Sequence, residues 1–177
     1  MAMLTMFGCG LPSDSLQPFP PLAAGAYRLG PGDQVGITLF GEQQLSGAFA
    51  VSDSGHIALP LVGNVHAAGL TPDQLAAAIE ARLKSAGLYR DPRVAVEVTG
   101  YRPVFILGEV AKPGQYPYQP GMTVLTAAAI AGGFTYRAVT RQFGIVRQEG
   151  GKAEEGRAVR QTLLQPGDVV TVHERLF

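Results

Sequence analysis

The chain has 177 residues, of which 46% are hydrophobic and 16% charged, with 23 glycines and 13 prolines. This composition is typical of a folded, turn-rich protein that contains strands, and it argues against a disordered chain. Basic and acidic residues number 14 each, so the formal net charge is zero. Because the basic residues are also scattered, the chain lacks the electrostatic footprint of a nucleic-acid-binding protein. The single cysteine, Cys9, excludes an internal disulfide and a thiolate-rich metal site.

Residues 1–26 are expected to form a leader or tether. The stretch "MAMLTMFGC" is apolar, and its small residue before Cys9 resembles the end of a bacterial lipoprotein signal, in which the cysteine is acylated. Met6 departs from the usual branched aliphatic residue, and no basic residue precedes Arg28. Two interpretations therefore stay open: an acylated Cys9, and an ordinary cysteine in a disordered leader. No segment has the ~18 consecutive apolar residues of a transmembrane helix.

The phrase L-x-P-G-D-x-V-x-[IV] occurs twice, at Leu29–Ile37 and at Leu164–Val172. In each copy, proline presets a turn dihedral, glycine accepts positive φ, and the aspartate side chain caps turn amides. A strand is predicted after each turn, with alternating apolar residues on one face. The repetition has three possible explanations: independent turn chemistry, a catalytic loop used twice, or two related structural modules.

The next segment predicts a hairpin between residues 49–52 and 56–62. Ser54-Gly55 is the expected turn, and a second turn is expected at Gly63-Asn64. Pro60 lies inside the apolar run, which favours a sheet edge or a bulge at that position.

The sequence "LTPDQLAAAIEARLKSAGL" predicts a helix. Thr71 is the expected N-cap, Pro72 the first helical residue and Gln74 the partner in a capping box. The apolar stripe comprises Leu75, Ala78, Ile79, Leu83 and Ala86, and Gly87 is the expected stop. Alternation of Val94, Val96 and Val98 then predicts a strand, so residues 27–99 are expected in the order β-β-β-α-β.

A second module is expected after the Arg102-Pro103 boundary. Residues 104–107 form an apolar strand, turns follow at Gly108 and Pro113-Gly114, and residues 115–118 form a short strand. After a turn at Pro120-Gly121, an alanine-rich helix ends at Gly132-Gly133. Strands are predicted in "QFGIVRQ" and "DVVTVHE", with a polar loop between them. This order matches a β-grasp arrangement, in which a mixed sheet wraps one helix.

The sequence shows no recognisable catalytic, metal or cofactor motif. His56, His66 and His173 lack metal-ligand spacing. Glu154-Glu155 is interpreted as part of a solvated hairpin tip, and Asp33 and Asp168 as turn caps rather than an acid–base pair. Tyrosines 101, 116, 118 and 136 are compatible with stacking on sugars or with covering a sheet edge, and both alternatives stay open.

The ordered phrases resemble the outer-membrane polysaccharide export (OPX, Wza-type) family over residues 27–177. The segment "YRLGPGDQVGITLFG" through "DPRVAVEV" is similar to its polysaccharide biosynthesis/export domain. "VFILGEVAKPGQYPYQPGMTVLTAAAIAGGF" with "LLQPGDVVTVHERLF" is similar to its SLBB β-grasp domain. The resemblance implies an α+β chain: a tether at 1–26, a small mixed α/β export domain at 27–101 and an SLBB domain at 102–177. The family-motif turn residues are Gly30, Pro31, Gly32, Asp33, Gly55, Pro60, Gly63, Gly108, Pro113, Gly114, Gly132, Gly133, Pro166, Gly167 and Asp168.

The resemblance also implies a non-enzymatic function without a cofactor or metal. It implies a periplasmic ring of identical subunits, tethered to the outer membrane through Cys9, that conducts a capsular polysaccharide or exopolysaccharide. Implied partners are the polymer, an inner-membrane polysaccharide co-polymerase and a separate outer-membrane channel, because the sequence ends after one β-grasp module without the pore-forming helix of longer members. The alternative is a monomeric periplasmic β-grasp module that binds a sugar or small ligand.

Overall fold

The computed structural model describes residues 16–19, 27–149 and 151–175. These residues divide into two compact units at the Arg102–Pro103 junction, and residues 16–19 belong to the second unit. Cys9, the predicted acylation site, lies outside the described residues. Neither helix in the described part of the chain has the length and hydropathy that a membrane span requires.

The first unit contains a three-stranded antiparallel sheet in the order β2-β1-β5. Its strands are β1 (Gln34–Leu39), β2 (Glu42–Ala50) and β5 (Val94–Gly100). The predicted alternation in β1 is confirmed, because Val35, Ile37 and Leu39 are buried while Gln34 and Thr38 are exposed. Strands β3 (His56–Leu59) and β4 (Gly63–His66) form a separate antiparallel pair.

The predicted hairpin between residues 49–52 and 56–62 is wrong. A turn does close at Ser52, whose N–H donates to the His56 carbonyl at 2.8 Å, but β2 pairs with β1 whereas β3 pairs with β4. The β3–β4 tip lies between Leu59 and Gly63 and contains Leu61 with φ of 63°. The second turn, predicted at Gly63-Asn64, lies instead at residues 60–62, because Gly63 and Asn64 already belong to β4. Leucine rarely adopts the conformation of Leu61, so residue type alone does not place the turn there. The element order is therefore β-β-β-β-α-β, with one strand more than predicted.

The predicted helix is confirmed as α1 (Pro72–Ser85) with its capping box. The Gln74 N–H donates to Thr71 Oγ1 at 3.2 Å, and the Thr71 N–H donates to Gln74 Oε1 at 3.0 Å. Leu75, Ile79 and Leu83 are buried, so the periodic stripe anchors the helix in the core. Ala86, predicted in that stripe, is exposed as the C-cap residue.

The second unit contains a five-stranded mixed sheet in the order β7-β6-β10-β8-β9. The strands are β6 (Val104–Gly108), β7 (Gly114–Tyr116), β8 (Phe143–Glu149), β9 (Lys152–Ala158) and β10 (Val169–Val172). Among these five strands, β6 and β10 pair in parallel and the other pairs are antiparallel. The buried residues of α2 (Val124–Ile130) pack against one face of the sheet. The predicted α+β class is confirmed by this mixed sheet and its helix.

The polar loop predicted between the last two strands is wrong, because it contains β9. Glu154 and Glu155 are exposed residues of that strand rather than a hairpin tip. Strand β9 pairs with β8 at the margin of the sheet, where polar side chains stay solvated, so its hydropathy resembles that of a loop. Residues 17–19 pair with the outer edge of β9. The Phe19 N–H donates to the Arg157 carbonyl at 2.7 Å, and the Arg157 N–H donates to the Gln17 carbonyl at 2.8 Å.

Candidate functional site: the Pro-Gly-Asp turns and the apolar surfaces

The first Pro-Gly-Asp turn encloses a buried carboxylate. Asp33 N–H donates to the Gly30 carbonyl at 3.1 Å, and Gly32 has the positive φ of 91° that this turn requires. The Asp33 carboxylate, which is 0% exposed, accepts hydrogen bonds from Gly30 N–H at 2.8 Å and Tyr27 Oη at 2.5 Å. It also accepts from the backbone N–H of Arg102 at 3.1 Å and from its Nε at 3.3 Å. Burial, and then the bond to Asp33, raises the pKa of the Tyr27 hydroxyl.

The second turn repeats the same device with a tighter ion pair. Asp168 N–H donates to the Gln165 carbonyl at 3.1 Å, and the Asp168 carboxylate accepts from Gln165 N–H at 2.7 Å. Arg147 donates to this carboxylate twice, from Nε at 2.9 Å and from Nη2 at 2.7 Å. The Arg147 guanidinium also lies 4.6 Å from the centre of the Phe19 ring. The pair is nearly dry, with side-chain exposures of 6% for Arg147 and 1% for Asp168.

These contacts give both aspartates a structural role. Each carboxylate closes its own turn and neutralises an arginine, so neither has the solvent access expected of a general acid or base. The arginines were not identified from the sequence. The alternation of the sequence could have predicted a buried Arg147, because Phe143, Ile145 and Arg147 lie on the same inward face of β8. A buried cation at that position needs a carboxylate partner.

The other predicted turn residues lie where strands or helices end. Gly63 begins β4, Gly108 ends β6, Gly114 begins β7, and Gly132 and Gly133 follow α2. Pro60 follows β3, whereas Gly55 precedes it; Pro113 precedes β7, and Pro31 and Pro166 lie within the Pro-Gly-Asp turns. At Gly108 the requirement is steric, because a Cβ atom there would lie 2.0 Å from the Val172 carbonyl oxygen.

The second unit exposes apolar side chains on the face of its sheet opposite α2. Val104 and Ile106 point inward at 0% exposure, while Phe105 and Leu107 are 37% and 46% exposed. The strand register places Val169 beside Phe105, and Val146 beside Val169. We call Phe105, Leu107, Val146 and Val169 the sheet face.

A second apolar surface lies on the helix side of this unit. Leu125, Val159 and Leu163 are 44%, 49% and 44% exposed. Hydrogen bonds hold them together, because Leu125 N–H donates to the carbonyl of Arg160, next to Val159, at 3.0 Å, and Leu163 bridges to the N-cap of α2. We call Leu125, Val159 and Leu163 the helix face.

The remaining candidate residues form no catalytic constellation. His56 and His66 face each other across the β3–β4 pair, with ring centroids 5.2 Å apart, which their sequence spacing did not reveal. The described residues contain no group of three or more potential metal ligands. His173 belongs to the second unit, and its Nε2 atom is buried without a hydrogen-bond partner among the described residues.

The four tyrosines are distributed over both units. Tyr101 packs edge-on against Tyr27 at 5.2 Å, within the first unit. Tyr116 and Tyr118 are partly buried against the second core, as expected of residues that cover a sheet. Tyr136 alone among the four is largely exposed, at 89%.

Comparison with known proteins matches both units. Residues 22–99 match the family described as "Polysaccharide biosynthesis/export protein", and residues 103–158 match the SLBB domain. The exopolysaccharide production protein ExoF of Rhizobium meliloti is 38% identical over 121 residues, 62% of this chain and 29% of that protein. The EPS I polysaccharide export outer membrane protein EpsA of Ralstonia nicotianae is 30% identical over 157 residues, 81% of this chain and 40% of that protein. The chain thus spans less than half the length of either relative, and its two domains in this order show that it belongs to the polysaccharide biosynthesis/export family.

Proposed function

We propose that the protein is a non-enzymatic component of a machine that exports a capsular polysaccharide or exopolysaccharide. The observation that carries this proposal is the consecutive match to an export domain and an SLBB domain. The similar proteins ExoF and EpsA bear names of exopolysaccharide production and polysaccharide export. The structural use of Asp33 and Asp168 supports a role without bond cleavage, because glycoside hydrolysis needs two carboxylates flanking the bond.

A direct test is complementation of export. A strain that lacks this protein should lose extracellular polymer while retaining its synthesis, and the wild-type gene should restore release. Reducing-end release from purified polymer by the protein alone would instead indicate a hydrolase. Normal extracellular polymer in the deletion strain, with no second copy of the gene, would contradict the export role.

The proposed assembly is a head-to-tail ring in the periplasm. A ring requires two different surfaces on each subunit that fit one another. The sheet face and the helix face support this assembly, since both are apolar and they lie on opposite sides of one sheet. A near-neutral conduit is also compatible with weak binding of a moving polymer.

Paired variants test this geometry. Leu107→Asp and Leu125→Asp each place a charge in one of the two faces, at residues of 46% and 44% exposure. Each variant alone should remain monomeric in native mass spectrometry, whereas an equimolar mixture should form dimers, because one intact pair of faces remains. Tyr136→Ser is the matched control and should assemble like the wild type. A wild-type chain that is monomeric at every concentration, with the co-polymerase present, would contradict the ring.

Attachment to the outer membrane through Cys9 belongs to the same proposal, as does an inner-membrane co-polymerase partner. The intact mass of protein extracted from membranes tests acylation, and a Cys9→Ser variant is its control. If the protein in the membrane fraction has the mass of the unmodified chain, Cys9 is not acylated and the proposed lipid tether is wrong. Crosslinking in cells followed by recovery of the co-polymerase tests the partner.

The second candidate function is sugar binding by a monomer. It is favoured by an open polar groove in the second unit lined by Thr140, Arg141, Val159, Arg160 and Gln161. Guanidinium groups suit acidic sugars. Calorimetry with oligosaccharides of the exported polymer distinguishes the two, since saturable micromolar binding by a monomer would favour this candidate.

A further inference from the structure

The first unit gathers its exposed apolar side chains at one end. Among the side chains that the structure describes in this unit, the large apolar residues classed as exposed are Phe40, Leu61 and Leu88, at 68%, 74% and 41%. Phe40 follows β1, and its N–H donates to the Arg93 carbonyl at 3.0 Å, next to the start of β5. Leu88 N–H donates to the Leu83 carbonyl at 3.2 Å, at the end of α1. We call Phe40, Leu61 and Leu88 the apolar tip.

A small apolar cleft lies beside the segments that carry these three residues. The cleft is lined by Leu39 at the end of β1, Pro60 and Val62 beside Leu61, Leu83 in the last turn of α1 and Val94 in β5. The elements that carry Phe40, Leu61 and Leu88 therefore converge at this cleft.

The conformation of Leu61 is costly for the folded chain. Its φ of 63° lies in the left-handed region, where leucine is strained, and its side chain is 74% exposed. The turn closes around it through a bond from Val62 N–H to the Pro60 carbonyl at 2.8 Å. Since this leucine gains neither burial nor a relaxed backbone within the unit, its side chain is suited to a partner outside the chain.

Basic residues lie on the segments that precede and follow Leu88. The last turn of α1 and the segment that leads to β5 carry four exposed cations, Arg82, Lys84, Arg90 and Arg93. The only exposed acidic side chain that the structure describes between residues 82 and 94 is Asp91, which lies 3.7 Å from Lys84 and 3.6 Å from Arg93. The nearby carboxylates of Glu42 and Glu80 are partly buried and engaged, with Tyr89 and with the Val94 N–H respectively.

We propose that the apolar tip is a peripheral binding site for an anionic phospholipid surface. Phe40 and Leu61 protrude from adjacent turns and enter the boundary between headgroups and acyl chains. The four cations remain in the headgroup layer, where each is attracted to negative lipids. The excess of exposed positive charge around an apolar protrusion favours lipid over a neutral apolar protein surface. This contact is independent of ring formation and of acylation at Cys9.

Vesicle flotation of the full chain tests the proposal, with Cys9→Ser in every sample so that no acyl chain contributes. The chain should float with phosphatidylglycerol-containing vesicles, float less with pure phosphatidylcholine vesicles, and detach as salt rises. Phe40→Ser combined with Leu61→Asn should weaken binding by at least about tenfold. Arg90→Glu with Arg93→Glu should weaken binding to anionic vesicles alone. The control is Tyr136→Ser, which removes an 89% exposed aromatic ring from the second unit and should bind like the parent.

Leu61→Asn alone also controls for unfolding, because asparagine tolerates the left-handed conformation and should keep the first unit folded. Its thermal midpoint should equal or exceed that of the parent while its vesicle binding falls. Equal binding of the tip variants and the parent, or no binding of the parent to anionic vesicles, would overturn the proposal. Loss of self-association in the tip variants with unchanged vesicle binding would assign the tip to a contact between copies and would equally overturn it.

Discussion

Replacing the carboxylate of Asp168 should destabilise the second unit strongly. Asp168→Asn keeps the shape of the side chain and one acceptor for the Gln165 N–H, but it removes the negative charge beside Arg147. The guanidinium is then left buried without a counter-ion. Breaking a buried ion pair by removing one partner costs about 3–5 kcal/mol. We expect about 3 kcal/mol, the low end of that range, because Arg147 keeps its bond to the Leu163 carbonyl.

This loss is large for a domain of this size. A loss of about 1 kcal/mol lowers the thermal unfolding midpoint of a domain of about 60–100 residues by roughly 4–8 °C. The thermal midpoint of the variant should therefore be roughly 12–24 °C lower than that of the wild type. Differential scanning calorimetry measures the shift. Asp33→Asn assigns the transitions, since it should affect the first unit. Its effect should be smaller, because Arg102 is 24% exposed and is partly solvated when unpaired.

A double variant separates the buried charge from the shape of the site. Adding Arg147→Met to Asp168→Asn removes the orphaned cation and retains an unbranched apolar chain in its place. The cost of breaking a buried pair comes from the charge that is left unpaired, and removing that charge as well relieves this cost. The double variant should therefore be more stable than Asp168→Asn alone. A shift below about 1 kcal/mol for Asp168→Asn, or further destabilisation on adding Arg147→Met, would refute the reasoning.

Three further predictions concern local contacts. Gly108→Ala should cost the second unit at least about 3 kcal/mol in urea unfolding, since its Cβ would lie 2.0 Å from the Val172 carbonyl oxygen. Gly114→Ala, whose Cβ meets nothing within 4 Å, is the control and should change stability by less than about 1 kcal/mol. Thr71→Ala should cost the first unit about 1 kcal/mol through loss of the helix cap, and an unchanged urea midpoint would argue against that cap. Folding raises the pKa of Tyr27 above its ordinary 10.0. The contribution of the Tyr27 hydroxyl to the free energy of unfolding should therefore be fully present below about pH 10 and be lost as the pH rises above it. Tyr27→Phe should show a shallower fall over that range, and parallel curves would contradict the shift.

The elements that the sequence predicts well are those defined by local signals. Helix α1 combines a capping box with an apolar stripe, and both lie within one short segment. Strand β1 alternates clearly after its turn. The order of strands and helix in the second unit was likewise predictable enough to identify a β-grasp arrangement, even though β9 was missed.

The errors arise where tertiary contacts override local pattern. Strand β9 is polar because it lies at the margin of the sheet. Its residue types have low strand propensity, and the backbone pairing with β8 stabilises the strand instead. The β3–β4 tip uses Leu61 in a conformation that sequence patterns reserve for glycine or asparagine. The apolar tip of the first unit could not be predicted either, since the segments that carry Phe40, Leu61 and Leu88 are far apart in sequence and meet beside one cleft only in the folded chain.

The repeated Pro-Gly-Asp phrase shows how a local device can recur in different folds. Strand β1 follows the first copy and lies between two antiparallel neighbours, whereas β10 follows the second and lies between parallel β6 and antiparallel β8. In both copies the carboxylate caps the N–H three residues earlier and is then buried, so a cation must reach it from elsewhere in the unit. Arg102 does so from beyond β5, and Arg147 from the neighbouring strand β8. Because turn chemistry accounts for the proline, the glycine and the capping aspartate, and packing in each unit then accounts for the buried carboxylate and its arginine, the repetition requires neither a shared catalytic loop nor related modules.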